Sequence, residues 1–234
     1  MLISIVIPAL NEENYIERTL KSARAQRTSH EIELIVGDGF STDRTVEIAK
    51  KYADMIVLEK NRSAAWQRQA GARVANGEII AFTDADAELP PDWVEKIVAE
   101  FSRDESLAMV YSPVGFFDMS GFEDSVSRFS FEFYASAFAF AGLHSPSGAN
   151  MAVRKGLFEI AGGFDTSLST CEDIDLARRL GSFGSLKFFR RNIVRVSPRR
   201  VKAVGYLNYA IYHIDNLIRF SLTGKSKNVY VPVR

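Results

Sequence analysis

Two aspartates one residue apart, Asp84 and Asp86, have the types and spacing that most directly suggest chemistry in this sequence. They follow the apolar run Ile79–Phe82, which has the length and β-branched content of a buried strand. In an open α/β sheet, ligands bind at the carboxyl ends of the strands. Two carboxylates at such an end suit Mg²⁺ or Mn²⁺, which one or two carboxylates hold while water and phosphate oxygens complete the coordination. The alternative is a solvated acidic turn ahead of Pro90 and Pro91.

Carboxylates also stand at two other predicted element ends. Asp38 follows the apolar run 32–37, and Glu172 and Asp173 precede the periodic segment 174–180. Asp is common in the turn after a strand, and acidic residues are favoured in the first turn of a helix, so each has an ordinary structural explanation. A purely structural protein, however, would have no need for acids at so many element ends.

The elements that must position these carboxylates alternate along the first half of the chain. Predicted strands at 2–7, 32–37, 55–58 and 79–82 are separated by predicted helices at 11–26, 43–52 and 61–75. Asn11 is the predicted N-cap of the first helix, with Glu12 and Glu13 in its first turn. Alternation at crossover spacing predicts an α/β fold with a mostly parallel sheet and helices on both faces.

The regular alternation breaks after Asp86. A helix from Pro90 to about Phe101 and a strand at 107–114 precede a Phe-rich region, in which residues 129–143 are apolar on nearly every side. This segment is either a helix buried against the sheet or an apolar wall for an acceptor. The remaining predicted elements are a strand at 151–154, helices at 157–161 and 174–180, strands at 186–189 and 193–196, and an amphipathic helix at 206–222.

Composition limits the function classes. The chain has 234 residues, 29 Lys and Arg, and 29 Asp and Glu, so one full-sized domain is expected and a general nucleic-acid binder is disfavoured. Cys171 is the single cysteine, which excludes an internal disulfide and a cysteine-rich zinc site. The N-terminus reads as a first strand, and no run of about 18 apolar residues is present. A cytoplasmic location is therefore expected.

The sequence resembles the family 2 glycosyltransferases through motifs in a characteristic order. These are Val6-Ile7-Pro8-Ala9-Leu10-Asn11-Glu12, Val36-Gly37-Asp38, Gln69-Ala70-Gly71, Gly77-Glu78, Asp84-Ala85-Asp86, Gly162-Gly163-Phe164-Asp165 and Glu172-Asp173. The resemblance runs from residue 2 to about residue 200. It implies the GT-A fold in one domain, residues 1–234, with a nucleotide-binding half at 1–105, an acceptor-side half at 106–198 and a C-terminal helical extension at 199–234.

The resemblance also implies a nucleotide pocket for a UDP- or GDP-linked sugar. The residues it assigns to that pocket are Pro8, Ala9, Leu10, Glu12, Asp38, Arg62, Arg68 and Asp84. Leu10 stands where many relatives carry Tyr, so backbone contacts replace ring stacking as the expected contribution of this position. Glu12 could instead be a first-turn helix acid, Asp38 a turn residue, and either arginine a solvated surface group.

Catalytic roles follow from the same resemblance. Asp84 would contact the ribose or the metal, and Asp86 the metal, a Mg²⁺ or Mn²⁺ ion that neutralises the departing diphosphate. Because family 2 enzymes invert at the anomeric carbon, Asp173 is implied as the general base for a hydroxyl acceptor. An acceptor that is a polyprenyl phosphate is already ionised, and Asp173 would then position it. Glu172, Arg199 and Arg200 are implied near the acceptor or the diphosphate.

The acceptor is predicted to be a glycan or a lipid-linked molecule. The basic residues Arg199, Arg200 and Lys202 precede the amphipathic helix, and Lys225 and Lys227 follow it. Such a helix packs on its own domain, packs on a second subunit in a homodimer, or lies on the inner face of a membrane through residues 199–227.

Two other functions are compatible with parts of the sequence but fit it less well than sugar transfer. A nucleotidylyltransferase would need a Gly-rich basic loop after the first strand to hold a triphosphate, whereas here that loop is acidic and lacks Gly. A non-catalytic nucleotide-sugar sensor would be favoured by loss of Asp86 or Asp173, and both are present. The sequence therefore predicts an inverting, metal-dependent glycosyltransferase.

Overall fold

A computed structural model of the chain describes residues 1–118, 132, 135–136, 138–140 and 142–226. Ten strands have defined bounds in this part of the chain: β1 Leu2–Ala9, β2 Glu31–Asp38, β3 Met55–Leu58, β4 Ile79–Phe82, β5 Ala87–Glu88, β6 Leu107–Tyr111, β7 Val114–Phe116, β8 Met151–Arg154, β9 Ser185–Phe188 and β10 Val194–Val196. Seven of them form one sheet in the order β3-β2-β1-β4-β8-β6-β9, and β5, β10 and β7 form a smaller sheet.

The helices with defined bounds, numbered in chain order, lie between and after these strands. They are α1 Ile16–Arg24, α2 Thr45–Ala49, α3 Ala64–Val74, α4 Trp93–Arg103, α5 Lys155–Ile160, α6 Glu172–Leu180, α7 Arg199–Val204 and α8 Tyr206–Thr223.

The large sheet is mostly parallel, as the alternation of strands and helices predicts. β1 pairs in parallel with β2 and with β4, β2 pairs in parallel with β3, and β6 does so with β9. β8 is antiparallel to both of its neighbours, β4 and β6. The predicted α/β class is confirmed, and β8 is the strand that reverses direction.

Two apolar clusters cover the two faces of the sheet. Ile5 and Ile7 of β1 point into one cluster with Trp93 of α4, whereas Val6 points into the other with Phe82. This alternation along β1 follows from the period of two residues in a strand. Burial on both faces explains why β1 reads as a continuous apolar run, and helices on both faces are confirmed.

The first helix begins later than predicted. Asn11 adopts a left-handed conformation with φ 55°, and its side-chain oxygen accepts a hydrogen bond from the Thr42 backbone N–H at 2.8 Å. α1 begins at Ile16 and its N-cap residue is Tyr15. The prediction of Asn11 as the N-cap is therefore wrong, because its amide joins two loops.

Several other elements also differ from the prediction. α2 covers only Thr45–Ala49. The strand predicted at 107–114 is divided into β6 and β7 at Pro113, a residue that has no backbone N–H to donate to a ladder. α7 was not predicted as a helix, because the basic sequence of Arg199–Val204 has no long apolar periodicity.

Most of the Phe-rich segment predicted at 129–143 lies outside the described residues. Of those that are described, Phe140 is exposed and Ala135 is buried. The amphipathic C-terminal helix is present as α8. In the described part of the chain, no helix is both long enough and apolar enough to cross a membrane.

Candidate active site

The candidate site lies at the edge of the sheet where β1, β2 and β4 end. These strands are adjacent and parallel, so the loop after Ala9, the side chain of Asp38 and the segment at Asp84 reach the same edge. β8 runs the opposite way, and its first residue, Met151, pairs with Phe82 at the end of β4. The loop 147–150 before β8 therefore lies at this edge too.

Arg68 of α3 joins two of the predicted acidic motifs. Its guanidinium donates to Asp84 Oδ1 and to Glu172 Oε1, each at 2.6 Å, and the arginine is 5% exposed. Burial opposes the charged form, but the carboxylates of Asp84 and Glu172 outweigh burial and raise the pKa of Arg68. Arg68 thus links the end of β4 to the start of α6, and it is not the surface arginine of the alternative interpretation.

Gly148 provides the space that Arg68 occupies. A Cβ atom built on Gly148 would lie 2.4 Å from the Arg68 guanidinium carbon, far inside van der Waals contact. The Gly148 backbone N–H also donates to Asp173 Oδ2 at 3.0 Å. The loop before β8 therefore contacts both the bridging arginine and the predicted base.

Asp173 is held at the start of α6. Its Oδ1 accepts from the Ile174 backbone N–H at 2.8 Å, and Cys171, the N-cap residue, has the left-handed φ of 66° that turns the chain into the helix. Partial burial, followed by the charge of Glu172, raises the pKa of Asp173 to about 7, although Arg68 offsets part of this. A carboxylate with its pKa near neutral pH is suited to accept a proton there.

Asp86 belongs to a second cluster with Arg199 and Glu12. The Arg199 guanidinium lies 3.1 Å from Asp86 Oδ2 and 2.5 Å from Glu12 Oε1. It also stacks over the ring of Tyr15, with 4.8 Å to the ring centroid. Burial and the charge of Asp84 raise the pKa of Asp86 to about 7, with Arg199 opposing the rise.

The donor set at this edge fits a divalent cation that shares its coordination with phosphate. Asp84 and Asp86 retain exposed side-chain fractions of 30% and 13%. The described residues contain no group of three or more His, Cys, Asp or Glu arranged as a metal site. Glu12 Oε2 is buried and has no hydrogen-bond partner among the described residues, so this pocket has unused acceptor capacity. Two carboxylates with the balance supplied by phosphate and water is a common arrangement for Mg²⁺.

The loops after β1 and β2 are joined to each other. The Asn11 N–H donates to Ser41 Oγ at 2.8 Å, and the Glu12 N–H donates to Thr45 Oγ1 at 2.7 Å. Pro8 and Ala9 lie in β1, paired with Gly37 and Asp38 of β2, and Leu10 follows them in the loop. The predicted nucleotide-pocket residues of both strands are thus brought together at one wall.

Asp38 and Arg62 remain apart from the Arg68 cluster. Asp38 is fully buried, and its carboxylate accepts two hydrogen bonds from Ser41. The Ser41 backbone N–H donates one at 2.8 Å, and the Ser41 hydroxyl donates the other at 2.5 Å. This geometry matches the alternative in which Asp38 is a turn residue. Contact of Asp38 with the base of a nucleotide stays a prediction. Arg62 is exposed and donates to the Phe40 carbonyl at 3.3 Å, at the outer end of the same loop.

Arg200 follows Arg199 and acts on both Asp86 and His213. The charge of Arg200 opposes the rise in the pKa of Asp86. Burial is the larger cause, and the charge of Arg200 the smaller one, that lowers the pKa of His213 to about 4. His213 is therefore neutral at neutral pH. Arg200 is part of the electrostatic surroundings of Asp86.

Thr19 and Tyr15 support the site and were missed from the sequence. The Thr19 hydroxyl donates to the carbonyls of Ala85 and Ala87 and accepts from the Ala87 N–H, so α1 fixes the backbone on both sides of Asp86. Tyr15 supports Arg199. Neither role has a local signal, because each contact joins residues that are distant in the sequence.

A cavity of about 470 Å³ lies on the other side of α6, beside α8. Leu143, Ile174 and Phe220 are among its lining residues, together with His144 and Arg178. None of the predicted site residues lines it, although Ile174 is next to Asp173. The carboxylate and arginine clusters at the sheet edge are therefore the better candidate site.

Comparisons with known proteins agree on one family. Residues 4–160 match the model of the family described as glycosyl transferase family 2. Succinoglycan biosynthesis protein ExoA of Rhizobium meliloti is 30% identical over 194 residues, covering 77% of this chain and 58% of that protein. Chondroitin synthase of Escherichia coli is 29% identical over 196 residues, covering 81% of this chain and 28% of that protein. The chain thus spans only part of the length of these relatives.

Solved structures share the fold at low sequence identity. The mannosyltransferase PcManGT from Pyrobaculum calidifontis, in complex with GDP-Man and Mn²⁺, has a TM-score of 0.76 at 21% identity, covering 96% of this chain and 65% of that chain. The structure of TarS residues 1–349 of S. aureus, in complex with UDP, has a TM-score of 0.66 at 18% identity, covering 95% of this chain and 73% of that chain. The fold expected from the sequence, GT-A, is confirmed.

Proposed function

This chain belongs to glycosyltransferase family 2, and from that premise we propose that it transfers a sugar from a nucleoside-diphosphate sugar to an acceptor, with inversion at the anomeric carbon. One observation carries the proposal. Arg68 bridges Asp84 to Glu172, so the predicted donor-side carboxylate Asp84 and the predicted base Asp173, which follows Glu172, belong to one connected site. A chemical step between donor and acceptor needs both sets of groups within reach of one sugar.

The donor occupies the wall formed by the loops after β1 and β2. Pro8, Ala9, Leu10 and Glu12 line one side of the nucleoside, and Asp38 and Arg62 lie toward the base. PcManGT is described with GDP-Man and Mn²⁺, and TarS with UDP, which supports a nucleotide-linked donor and leaves the base open between uridine and guanosine. A Mg²⁺ or Mn²⁺ ion held by Asp86 and Asp84 would neutralise the charge that develops on the departing diphosphate.

Asp173 acts on the acceptor. When the acceptor is a hydroxyl, its oxygen forms the new bond to the anomeric carbon while the bond to the diphosphate oxygen breaks, and Asp173 takes the hydroxyl proton. The raised pKa of Asp173 suits this transfer near neutral pH. When the acceptor is a polyprenyl phosphate, no proton is taken and Asp173 positions the phosphate group.

The two arginine clusters have separate tasks. Arg68 fixes the orientation of Asp84 and Glu172, whereas Arg199 and Arg200 supply positive charge beside Asp86, where the diphosphate leaves. Within this proposal, residues 1–105 bind the nucleotide, 106–198 face the acceptor and 199–234 form a C-terminal extension. A cytoplasmic location, peripheral at the inner membrane face, belongs to the same proposal.

The Asp173→Asn variant tests the proposal. Transfer to hydroxyl acceptors is measured as nucleoside diphosphate released from UDP-GlcNAc or GDP-Man in the presence of a panel of free sugars. We expect a loss of about 10²–10⁴-fold, the usual contribution of a general base, with nucleotide binding retained.

The matched control for this variant is Asp92→Asn, an exposed aspartate at the start of α4, which should leave transfer unchanged. Undiminished transfer to a hydroxyl acceptor by Asp173→Asn would remove Asp173 from the role of base.

A further inference from the structure

A row of exposed apolar side chains runs along α8. Leu207 is 73% exposed and Leu222 is 80% exposed, and three isoleucines between them, Ile211, Ile214 and Ile218, are also exposed. Their spacing of four, three, four and four residues brings them to one side of the helix. Solvent exposure of so many large apolar groups on one face marks an interaction surface.

A different face of α8 holds the helix on the domain. Leu217 and Phe220 are almost fully buried, and the Asn216 side chain donates to Thr170 Oγ1 at 3.1 Å. The Arg178 guanidinium lies over the Phe220 ring, 5.6 Å from its centroid. The helix is thus fixed to α6 and to the segment before it, while the apolar row faces away from these contacts.

The charge of the chain is divided unevenly between its two ends. The whole chain has 29 basic and 29 acidic residues. Residues 176–234 hold thirteen of the basic residues and one acidic residue, Asp215, so residues 1–175 hold sixteen basic and 28 acidic residues. Near the apolar row, Lys202, Arg219 and Lys225 are exposed. At least four of the thirteen basic residues form ion pairs with acids of residues 1–175, so the exposed Lys202, Arg219 and Lys225 are the charges that an anionic surface would attract.

We propose that the apolar row of α8 and the basic residues around it dock on an anionic lipid bilayer. A bilayer surface accepts apolar side chains at the boundary of its acyl region and attracts Lys and Arg through its anionic headgroups. A second copy of this chain would instead bring two rows together with the same positive charges on both sides. The charge pattern therefore favours lipid over self-association.

The docked helix is close to the candidate active site. α7 begins at Arg199, which contacts Asp86, and α8 follows α7 after Gly205. Docking of α8 would bring the edge of the site toward the membrane surface, where a lipid-linked acceptor is found. The docking goes beyond the proposed sugar transfer and does not depend on it, and only the peripheral location within that proposal rests on the docking.

Flotation with lipid vesicles tests the docking. The full chain is mixed with vesicles of phosphatidylcholine alone, or of phosphatidylcholine and phosphatidylglycerol in equal amounts. We expect binding to the anionic vesicles that weakens as salt is added. The double variant Ile211→Asn with Ile218→Asn should bind at least about tenfold more weakly, because each polar side chain removes apolar area from the membrane contact. Ile160→Asn, at a 64% exposed position on α5, is the matched control and should bind as wild type does.

A charge variant tests the second part of the proposal. Lys202→Gln with Lys225→Gln should weaken binding to anionic vesicles by about 25-fold, since each basic residue near such a surface contributes about fivefold. Lys50→Gln with Lys60→Gln, at two exposed positions in the first half of the chain, should have no effect.

Three results would overturn the docking proposal. They are an absence of wild-type binding to anionic vesicles, equal binding by the isoleucine variant, and a wild-type dimer in light scattering that the isoleucine variant converts to a monomer. The last result would identify the row as a contact between copies. Nucleotide-induced thermal shifts, measured on the same variants, should match wild type, so failure of docking is distinguishable from failure of the proposed transfer.

Discussion

At the scale of single residues, Arg68 and Arg199 divide the acidic groups of the site between them. Arg68 neutralises Asp84 and Glu172 inside the protein, and Arg199 neutralises Asp86 and Glu12 at its edge. Among the described residues, Asp173 forms no direct ion pair and accepts hydrogen bonds from two backbone N–H groups, those of Gly148 and Ile174. Burial and the charge of Glu172 raise the pKa of Asp173, so this carboxyl group can exchange a proton near neutral pH.

The raised pKa of Asp173 gives a prediction for pH dependence. A base must be deprotonated, so transfer to a hydroxyl acceptor should rise with pH through about 7 and then level. With saturating Mn²⁺, which keeps the metal ligand Asp86 deprotonated, the residual activity of Asp173→Asn should lack this step. A wild-type rate that is flat between pH 5 and about pH 9, or a step that persists in Asp173→Asn, would assign the proton transfer to another group.

The same pKa shift affects stability with a definite sign. The pKa of Asp173 is about 7 in the folded chain and about 4 in the unfolded chain. The unfolded chain therefore releases this proton at lower pH. The contribution of Asp173 to stability is complete below a pH of about 4 and is lost as pH rises through about 7. Chemical denaturation should show wild type losing stability relative to Asp173→Asn between these two values. An Asp173→Asn curve parallel to that of wild type over this range would contradict the shift.

The sequence alone identifies residue types at the site better than it identifies their contacts. Asp84, Asp86 and Asp173 were recognisable because they stand at predicted element ends. The bond between Glu12 and Arg199 joins positions 187 residues apart, and Thr19 reaches the backbone of Ala87 from a helix far earlier in the chain. Such contacts are set by tertiary packing and leave no periodic signal in the sequence.

At the scale of elements, the reversed direction of β8 determines which loop reaches Arg68 and Asp173. Because β8 is antiparallel to β4, the loop before it meets the end of β4, and Gly148 contacts both Arg68 and Asp173 there. The strand bounds Met151–Arg154 were predictable from the apolar run, whereas its direction was not. No pattern in the sequence of this short strand indicates which way it runs in the sheet.

Gly148→Ala tests the role of this loop. The added Cβ would lie 2.4 Å from the Arg68 guanidinium, so either the loop or the arginine must move. We expect a loss of about 1–3 kcal/mol in the free energy of unfolding, as for overpacked sites, together with reduced transfer. The measurement is denaturant unfolding combined with the release assay.

Gly156→Ala is the control for that substitution. Gly156 lies in α5 and its Cβ would meet nothing within 4 Å, so alanine should be neutral or stabilising by about 0.5–1 kcal/mol. Gly148→Ala that is as stable and as active as Gly156→Ala would mean that the loop does not hold Arg68 in place.

At the scale of the whole molecule, one large sheet joins strands from both predicted functional halves. β1 to β4 lie within residues 1–105, predicted to bind the nucleotide, and β8, β6 and β9 lie within residues 106–198, predicted to face the acceptor. The site lies where these two groups of strands meet, at β4 and β8. The fold class followed from strand and helix alternation, but the position of this junction required the pairing of β4 with β8.

The melting temperature of the chain with UDP, GDP and TDP, each with Mn²⁺ and each with EDTA, tests whether this edge of the sheet binds a nucleotide together with a metal ion. A ligand that binds only the folded state at about 100 times its Kd adds about 2.7 kcal/mol of stability, a rise of about 5–10 °C for a chain of this size. We predict such a rise with one nucleotide in the presence of Mn²⁺, its loss with EDTA and in Asp86→Ala, and its retention in the surface control Asp92→Ala. No rise with any nucleotide in the folded protein, or a rise that EDTA and Asp86→Ala both leave unchanged, would contradict a metal-assisted donor site at this edge of the sheet.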